Sequence, residues 1–157
     1  MARTQIVRDA FWGVRRFADF TDHLEIPRAV LASRLRALIA AGVMTKVAGE
    51  RYLEYELTDK GAALWPVVLS LMSWGDDFCA PGGPRRLFQH AADGGLIDRS
   101  GRCDACGTPV PAADTIVAPG PGLERPAEDD SWVTTALTTP HRLLKPLRAY
   151  AVVSEGN

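Results

Sequence analysis

Four side chains with metal-binding chemistry lie close together in the second half of the chain. Cys103 and Cys106 are separated by two residues and followed by Gly107, which is the spacing of a zinc knuckle whose backbone N–H groups turn toward the thiolates. His90 and Asp93 offer two further ligands at matching spacing. Zinc held by these four residues would be structural, because four protein ligands leave no position for a substrate water.

The residue types leave a second interpretation of this cluster open. A carboxylate is a harder ligand than a thiolate, so Asp93 makes a weaker zinc site than a cysteine would. The alternative is a vestigial knuckle held by ordinary packing, with Cys103 and Cys106 as free thiols.

Two other residues of these types stand alone in the sequence. Cys79 is expected to be a packed or idle thiol and His141 a surface histidine.

The remaining sequence contains no motif for catalysis. We find no Gly-rich phosphate loop, no Ser-His-Asp set and no paired-carboxylate motif, so the chain is not expected to be an enzyme. Its three cysteines do not make a disulfide framework. The sequence has no apolar run of the ~20 residues that a membrane span needs, and its N-terminus lacks the apolar core of a signal peptide. These features predict a cytoplasmic protein that does not enter the membrane.

A cationic helix organises the first half of the chain. Pro27 suits the first turn of a helix, and Gly42 suits the residue just past its end. Between them, apolar residues at steps of three and four predict one buried face, formed by Val30, Leu31, Leu35, Leu38 and Ile39. The opposite face carries small, polar and basic residues, and residues 26–47 include no Asp or Glu. A helix with this free face is suited to approach a polyanion closely.

The neighbouring elements place this helix in a helix-turn-helix. Apolar periodicity predicts a first helix over residues 4–14 and a short second helix over 17–24, before the cationic helix at 27–41. The period then changes to alternation, and a turn at 48–51 joins the two arms of a hairpin within residues 43–58. Three helices followed by such a wing make an α+β winged helix. A small α+β domain that binds no nucleic acid has the same elements.

The helix after the wing is the fourth and the longest. It is predicted to run from Thr58 to Cys79, and Pro66 should kink it or mark its beginning. One apolar face can close the domain core, and a second most simply meets a partner subunit. A Pro- and Gly-rich segment begins at residue 80. The predicted units are therefore 1–79 for DNA binding and dimerisation, 80–118 for a zinc-ribbon-like appendage, and 119–157 for a linker and tail without an assigned role.

The distribution of charge is more informative than its total. The net charge is −1, and residues 1–60 hold ten basic and eight acidic residues, which is weak for a nucleic-acid binder. The basic residues nevertheless cluster at 15–16, 28–36 and 46–51. This clustering, and not the sum, favours contact with DNA.

The motifs of residues 16–75 resemble those of the HxlR-type winged-helix transcriptional regulators of bacteria, within the MarR-like superfamily. The similar segments are 16–20 (RFADF), 30–35 (VLASRL), 41–43 (AGV), 54–61 (EYELTDKG), 64–67 (LWPV) and 74–75 (WG). The resemblance implies a homodimer that binds operator DNA, with the third helix in the major groove and the wing along the backbone.

The chain departs from the family pattern at two places. Family members usually begin further upstream, with a helix that contributes to the dimer interface and often carries a sensing Cys, whereas Met1 here is expected to fall inside what should be the first core helix. Longer relatives have a His-x-x-Cys-Gly half before the Cys-x-x-Cys-Gly half, and this chain has Asp93 in place of the first of those cysteines.

Together these observations predict a homodimeric transcriptional regulator, by default a repressor, that binds a palindromic operator. Base contacts are assigned to Arg28, Ser33 and Arg36, whereas Arg34 could equally contact phosphate or form an internal salt bridge. Phosphate contacts, which position a protein without reading sequence, are assigned to Arg15, Arg16, Lys46 and Arg51. The alternative is a protein-interaction adaptor built on a winged helix that has lost DNA binding, as the nearly balanced charge would suit.

Overall fold

A computed structural model describes residues 2–124 and 130–149 of the chain. Its first half contains the helices α1 (Ala2–Phe11), α2 (Phe17–Leu24) and α3 (Arg28–Ala40), followed by the strands β1 (Met44–Ala48) and β2 (Leu53–Leu57). The two strands pair in antiparallel register, with Met44 opposite Leu57. Two further helices follow, α4 (Asp59–Ala62) and α5 (Trp65–Cys79). This order of elements is the predicted α+β winged helix-turn-helix.

The second half forms a small antiparallel sheet. Its strands are β3 (Arg86–His90), β4 (Thr115–Pro119) and β5 (His141–Arg142), in the order β3-β4-β5. A 3-10 turn (Ala112–Asp114) precedes β4, and α6 (Trp132–Leu137) lies between β4 and β5. The apolar pattern of residues 132–153 predicts no element, because helices and strands as short as α6 and β5 are too brief to display a period.

Aromatic side chains join the two halves into one core. The ring centroids of Phe11 and Trp65 are 5.3 Å apart, and those of Trp65 and Phe88 are 5.4 Å apart. These rings come from α1, α5 and β3. Large aromatic rings bury more apolar area than other side chains, so this contact fixes the second sheet against the winged helix.

The helix predicted after the wing is divided in two. The Thr58 hydroxyl accepts the N–H of Gly61 at 3.1 Å, which caps the single turn of α4. Pro66 lies in the first turn of α5, where its missing N–H removes no intrahelical hydrogen bond. Of the two predicted outcomes, Pro66 therefore marks the beginning of a helix and does not kink one.

The end of the described chain returns to α1 and α2. The N–H of Leu144 donates to the Phe11 carbonyl at 2.7 Å, and the N–H of Leu147 donates to the Gly13 carbonyl at 2.9 Å. The Arg148 guanidinium donates to both carboxylate oxygens of Asp19, at 2.7 and 3.1 Å. These contacts place residues 144–148 against α1, the turn after it and α2.

The prediction of a surface histidine at position 141 is wrong. His141 is 2% exposed, because β5 pairs with β4 and places His141 opposite Val117 in the buried register. Its Nδ1 lies 2.7 Å from the Thr139 carbonyl oxygen. Burial lowers the pKa of His141 below its ordinary value, so the ring is held neutral.

Candidate nucleic-acid interface and metal cluster

Helix α3 presents one buried and one exposed face. Leu31, Leu35 and Leu38 are buried. Val30, predicted for the apolar face, is 38% exposed, because it lies about 100° around the helix axis from Leu31. The four α3 residues assigned to DNA are all exposed; these are Arg28, Ser33, Arg34 and Arg36.

The α3 arginines have no carboxylate partner within the described part of the chain. Arg34 and Arg36 are exposed and enter no ion pair there, so the internal salt bridge considered for Arg34 is not formed. Arg28 is exposed as well, and its guanidinium lies 4.9 Å from the centroid of the Phe17 ring. Because α3 itself contains no acid, its arginines are free to meet an external anion.

The two arginines that precede α2 are held by the wing. Arg15 forms an ion pair with Glu56 and donates to the Leu144 carbonyl at 3.1 Å. Arg16 lies 3.6 Å from a carboxylate oxygen of Glu54, and its guanidinium stacks 4.8 Å from the Tyr52 ring centroid. Wing carboxylates therefore already compensate both charges, and a contact of Arg15 or Arg16 with phosphate stays a prediction.

The wing carries two exposed basic residues that are not engaged in this way. Lys46 lies on β1, with its ammonium 5.7 Å from the Tyr55 ring centroid, and Arg51 lies in the turn between β1 and β2. Within the described residues neither forms an ion pair. The alternating pattern of the sequence located both of them correctly on the hairpin.

The four predicted metal ligands meet in one cluster. One ligand atom from each of His90, Asp93, Cys103 and Cys106 lies within 4.8 Å of all the others. A tetrahedral zinc ion, with bonds of ~2.0–2.3 Å, places its ligand atoms roughly 3.3–3.8 Å apart. A small contraction of the cluster would satisfy this geometry, and two thiols, an imidazole and a carboxylate are all donors that zinc accepts. The cluster could therefore hold a metal ion.

The two loops that carry the cluster, one with Gly95 and one with Gly107, lie very close to each other. Gly107 has a φ of +71°, and its N–H donates to the Cys103 carbonyl at 2.8 Å. A Cβ at Gly95 would lie 2.3 Å from the Cys103 sulfur. The sequence pattern identified Gly107 as a turn position, although its N–H donates to a carbonyl and not to a thiolate. The need for glycine at position 95 follows only from the way that the two loops meet.

Hydrogen bonds link the four residues of the cluster to one another. The Cys103 thiol lies 3.2 Å from the Asp93 carboxylate, which also accepts the Gly95 N–H at 2.9 Å. His90 Nδ1 lies 3.2 Å from the other Asp93 oxygen and 3.5 Å from the Cys106 sulfur. The Gly95 N–H, followed by the Cys106 thiol, holds the pKa of Asp93 well below its usual range, whereas burial raises the pKa of Cys103. The carboxylate is thus ready to coordinate a cation.

One face of α5 is apolar and exposed. Val67, Leu71, Trp74 and Phe78 are between 53% and 72% exposed. Their spacing of three and four residues aligns them along one side of the helix, and the Trp74 and Phe78 rings pack with centroids 5.6 Å apart. We call these four residues the α5 stripe. Cys79, at the end of the helix, is a free and exposed thiol.

The fold and the free basic face of α3 define the class of this protein, a winged helix-turn-helix of the DNA-binding type. Residues 3–82 match the HxlR-like helix-turn-helix family. The chain belongs to this family and is a DNA-binding transcriptional regulator.

Two comparisons over most of the chain support the assignment. An uncharacterized HTH-type transcriptional regulator of Mycobacterium tuberculosis is 39% identical over 124 residues, which are 76% of this chain and 78% of that protein. The crystal structure of PA1607, described as a candidate transcription factor, superimposes with a TM-score of 0.57 at 36% identity, covering 80% of this chain and 84% of that one.

A third, shorter match is with the HTH-type transcriptional regulator YodB of Bacillus subtilis, which is 35% identical over 74 residues, 45% of this chain and 66% of that protein.

None of the helices in the described ranges has the length and apolar character needed to cross a bilayer.

Proposed function

We propose that this protein represses transcription by binding a palindromic operator as a homodimer, with α3 in the major groove and the β1–β2 wing beside the backbone. The observation that carries the proposal is the exposed face of α3, where Arg28, Arg34 and Arg36 have no carboxylate partner among the described residues. The arginine guanidinium can donate two hydrogen bonds to the edge of a guanine base. Ser33, on the same helix, has a short side chain that can both donate and accept a hydrogen bond. Lys46 and Arg51 are the proposed phosphate contacts of the wing.

Replacing Arg36 with alanine is expected to weaken specific operator binding by roughly 1–3 kcal/mol and to relax the base preference at one position of each half-site. Binding-site selection from a random DNA pool identifies the operator and its symmetry, and titration then compares the variants. Arg99→Ala is the matched control, because Arg99 is exposed, lies outside α3 and the wing, and pairs with Asp77. Unchanged operator affinity in Arg36→Ala would place the reading surface elsewhere on the helix.

The salt dependence of binding separates this function from the adaptor alternative. Binding through several phosphates predicts a steep linear fall of log K with log salt concentration. Absence of binding to any selected DNA in low salt would favour the adaptor.

We propose the α5 stripe as the dimer interface. The support is its four large apolar side chains, since a contiguous exposed apolar patch commonly marks a protein contact. We expect Phe78→Asp to convert the dimer into a monomer at micromolar concentration, as measured by sedimentation. Leu53→Asp is the control, because Leu53 is an equally apolar residue, 61% exposed, on the wing. A Phe78→Asp protein that stays dimeric would exclude the stripe from the interface.

We also propose that residues 80–118 form a zinc-ribbon-like appendage with a structural zinc ion on His90, Asp93, Cys103 and Cys106. The supporting observation is the convergence of the four donor atoms within 4.8 Å. When bound, zinc would crosslink the two loops and add folding energy, because the unfolded chain offers no preformed site. The four protein ligands fill a tetrahedral shell, so no open position is expected.

Loss of one thiolate should remove most of the bound zinc. We expect Cys103→Ser to lower zinc affinity by about tenfold or more, and to lower the unfolding temperature of the zinc-loaded protein. Elemental analysis and a competitive chelator titration measure the affinity, and Cys79→Ser, which removes an exposed thiol outside the cluster, should retain full occupancy. An Asp93→Ala protein with undiminished zinc would remove Asp93 from the ligand set.

A further inference from the structure

A cavity of about 570 Å³ lies between the winged helix and the C-terminal segment. Its walls come from α1 and the turn after it, α2, α5, β3 and α6, through residues that include Arg8, Trp12, His23, Met72, Gly75 and Arg86. The volume falls within the ~300–1,000 Å³ typical of sites for small organic ligands. Nothing in the proposed contacts with DNA, zinc or a second subunit uses this space.

Arg86 is a largely buried cation in the cavity wall that forms no ion pair within the described residues. Its guanidinium donates to the Arg85 carbonyl at 3.2 Å and lies 5.3 Å from the Trp12 ring centroid. Its Nε and the indole Nε1 of Trp12 are buried donors without an acceptor there. Burial, reinforced by Arg8 and Arg85 and opposed by the Asp9 carboxylate, lowers the pKa of Arg86 to about 10. A buried charge is normally paired directly with an opposite charge, and Arg86 has no such ion pair in the described chain.

No other charge around the cavity forms an ion pair with Arg86. Arg8 lies 4.8 Å from the centroid of the same Trp12 ring and is engaged by Asp9, its Nε donating at 2.9 Å. Asp9 is fully buried and also lies 3.6 Å from the Nε2 of His23. The acidic residues of the lining are Asp76, which accepts the Arg85 backbone N–H at 3.4 Å, and the exposed Glu124 and Asp130. The buried end of the cavity therefore holds two cations, Arg8 and Arg86, and one buried carboxylate, that of Asp9, which pairs directly with Arg8.

The rest of the cavity wall favours a ligand whose uncharged part is apolar. Met72 provides apolar surface, and Trp12, which is 5% exposed, adds only a small part of it. Gly75 leaves space beside them, since a Cβ built on it would have no atom within 4 Å. A thioether adapts well to a flat ring.

We propose that this cavity binds a small organic carboxylate with an aromatic body, whose carboxylate pairs with Arg86 and whose ring lies against Met72, beside Gly75. The charge-assisted hydrogen bonds to the guanidinium would supply the ion-pair partner that the fold itself omits.

The location of the cavity suggests what the ligand would regulate, a role that depends on the operator binding proposed above. Its walls include α2, which immediately precedes the recognition helix, and α5, which carries the α5 stripe. A ligand wedged between them would bias the position of α3 relative to the dimer axis. In a symmetric dimer such a shift changes the spacing of the two recognition helices, which must match the half-sites.

The binding test uses no DNA, so its result is independent of the proposed operator function. 2-Naphthoate is the probe, and 2-naphthamide is the neutral control of the same shape. The protein is labelled with ¹⁵N, and the indole N–H signal of Trp12 is assigned by its loss in Trp12→Phe. We expect saturable naphthoate binding that shifts the Trp12 signal. The signal of Trp65, whose buried indole does not line the cavity, serves as the internal reference.

Two substitutions test separately the charge of Arg86 and the free volume beside Gly75. Arg86→Met should weaken naphthoate binding by about tenfold or more, as expected for the loss of a charge-assisted contact, whereas Arg99→Met on the surface should not. Gly75→Leu should block the cavity, while Gly75→Ala, which adds only a methyl group, should weaken binding less. The unfolding temperature of each variant checks that it is folded.

Several results would overturn the proposal. These are equal binding of 2-naphthamide, retained affinity in a folded Arg86→Met protein, or unchanged affinity in a folded Gly75→Leu protein. Absence of any Trp12 shift at millimolar naphthoate, in protein that is folded, would do the same.

Discussion

Replacing Gly13 with alanine should destabilise the folded protein by about 3 kcal/mol or more, the range of severe single substitutions. Gly13 has a φ of +90°, and a Cβ there would lie 1.9 Å from the Lys145 carbonyl oxygen and 2.9 Å from the Leu147 nitrogen. Both neighbours are backbone atoms, so no side-chain rotation relieves the clash. The hydrogen bond from Leu147 N–H to the Gly13 carbonyl, 2.9 Å long, would be lost with it.

Urea unfolding measures the effect, and Gly42→Ala provides the control. Gly42 also has a positive φ, +72°, but the nearest atom to a Cβ there is a Lys60 side-chain carbon at 3.8 Å. Its substitution should therefore cost only the left-handed backbone strain, about 1–2 kcal/mol. Equal losses in the two variants would show that residues 144–147 do not lie against Gly13 in solution.

Replacing Arg148 with methionine should cost about 2–3 kcal/mol of stability at pH 7, somewhat less than breaking a fully buried ion pair. The Asp19 side chain is 5% exposed, and its bidentate partner Arg148 is 42% exposed. Methionine can keep part of the packing on the Trp132 ring, whose centroid lies 4.3 Å from the Arg148 guanidinium. The substitution removes the positive charge that compensates the buried Asp19 carboxylate.

The loss caused by Arg148→Met should shrink as the pH falls. Burial already raises the pKa of Asp19 above its ordinary 3.8, in spite of Arg148, and removal of the guanidinium raises the pKa further. A raised carboxyl pKa means that the folded state binds the proton more tightly, so its stability relative to the unfolded state grows as pH falls through the folded pKa toward 3.8.

Urea unfolding at several pH values between 7 and 4 measures this dependence. Arg99→Met, which breaks an exposed pair with Asp77, should have a small effect, about 0–1 kcal/mol, throughout. A pH-independent loss in Arg148→Met would mean that packing, and not the charge of Asp19, carries the effect.

The candidate sites differ in how far they could be predicted from sequence. The sequence located all four residues of the cluster that could hold a metal, because each of two short motifs of fixed spacing brings two of them together. The exposure of Ser33 and Arg36 could also be predicted, because helical periodicity separates them from Leu31 and Leu35. The engagement of Arg15 and Arg16 by wing carboxylates could not be predicted, because it depends on how the hairpin folds back toward α2.

By itself, the amino-acid sequence determined the local features of this protein: the helix order, the alternating wing, the cationic face of α3 and the Cys-x-x-Cys knuckle. Each arises from side-chain periodicity or short spacing, which act between near neighbours. Only the tertiary structure decided that His141 is buried, that Gly13 must lack a side chain, and that Arg86 lines a cavity without a carboxylate partner in the described chain. These features depend on contacts between residues that are distant in the sequence, and no local pattern encodes which distant backbone will lie against them.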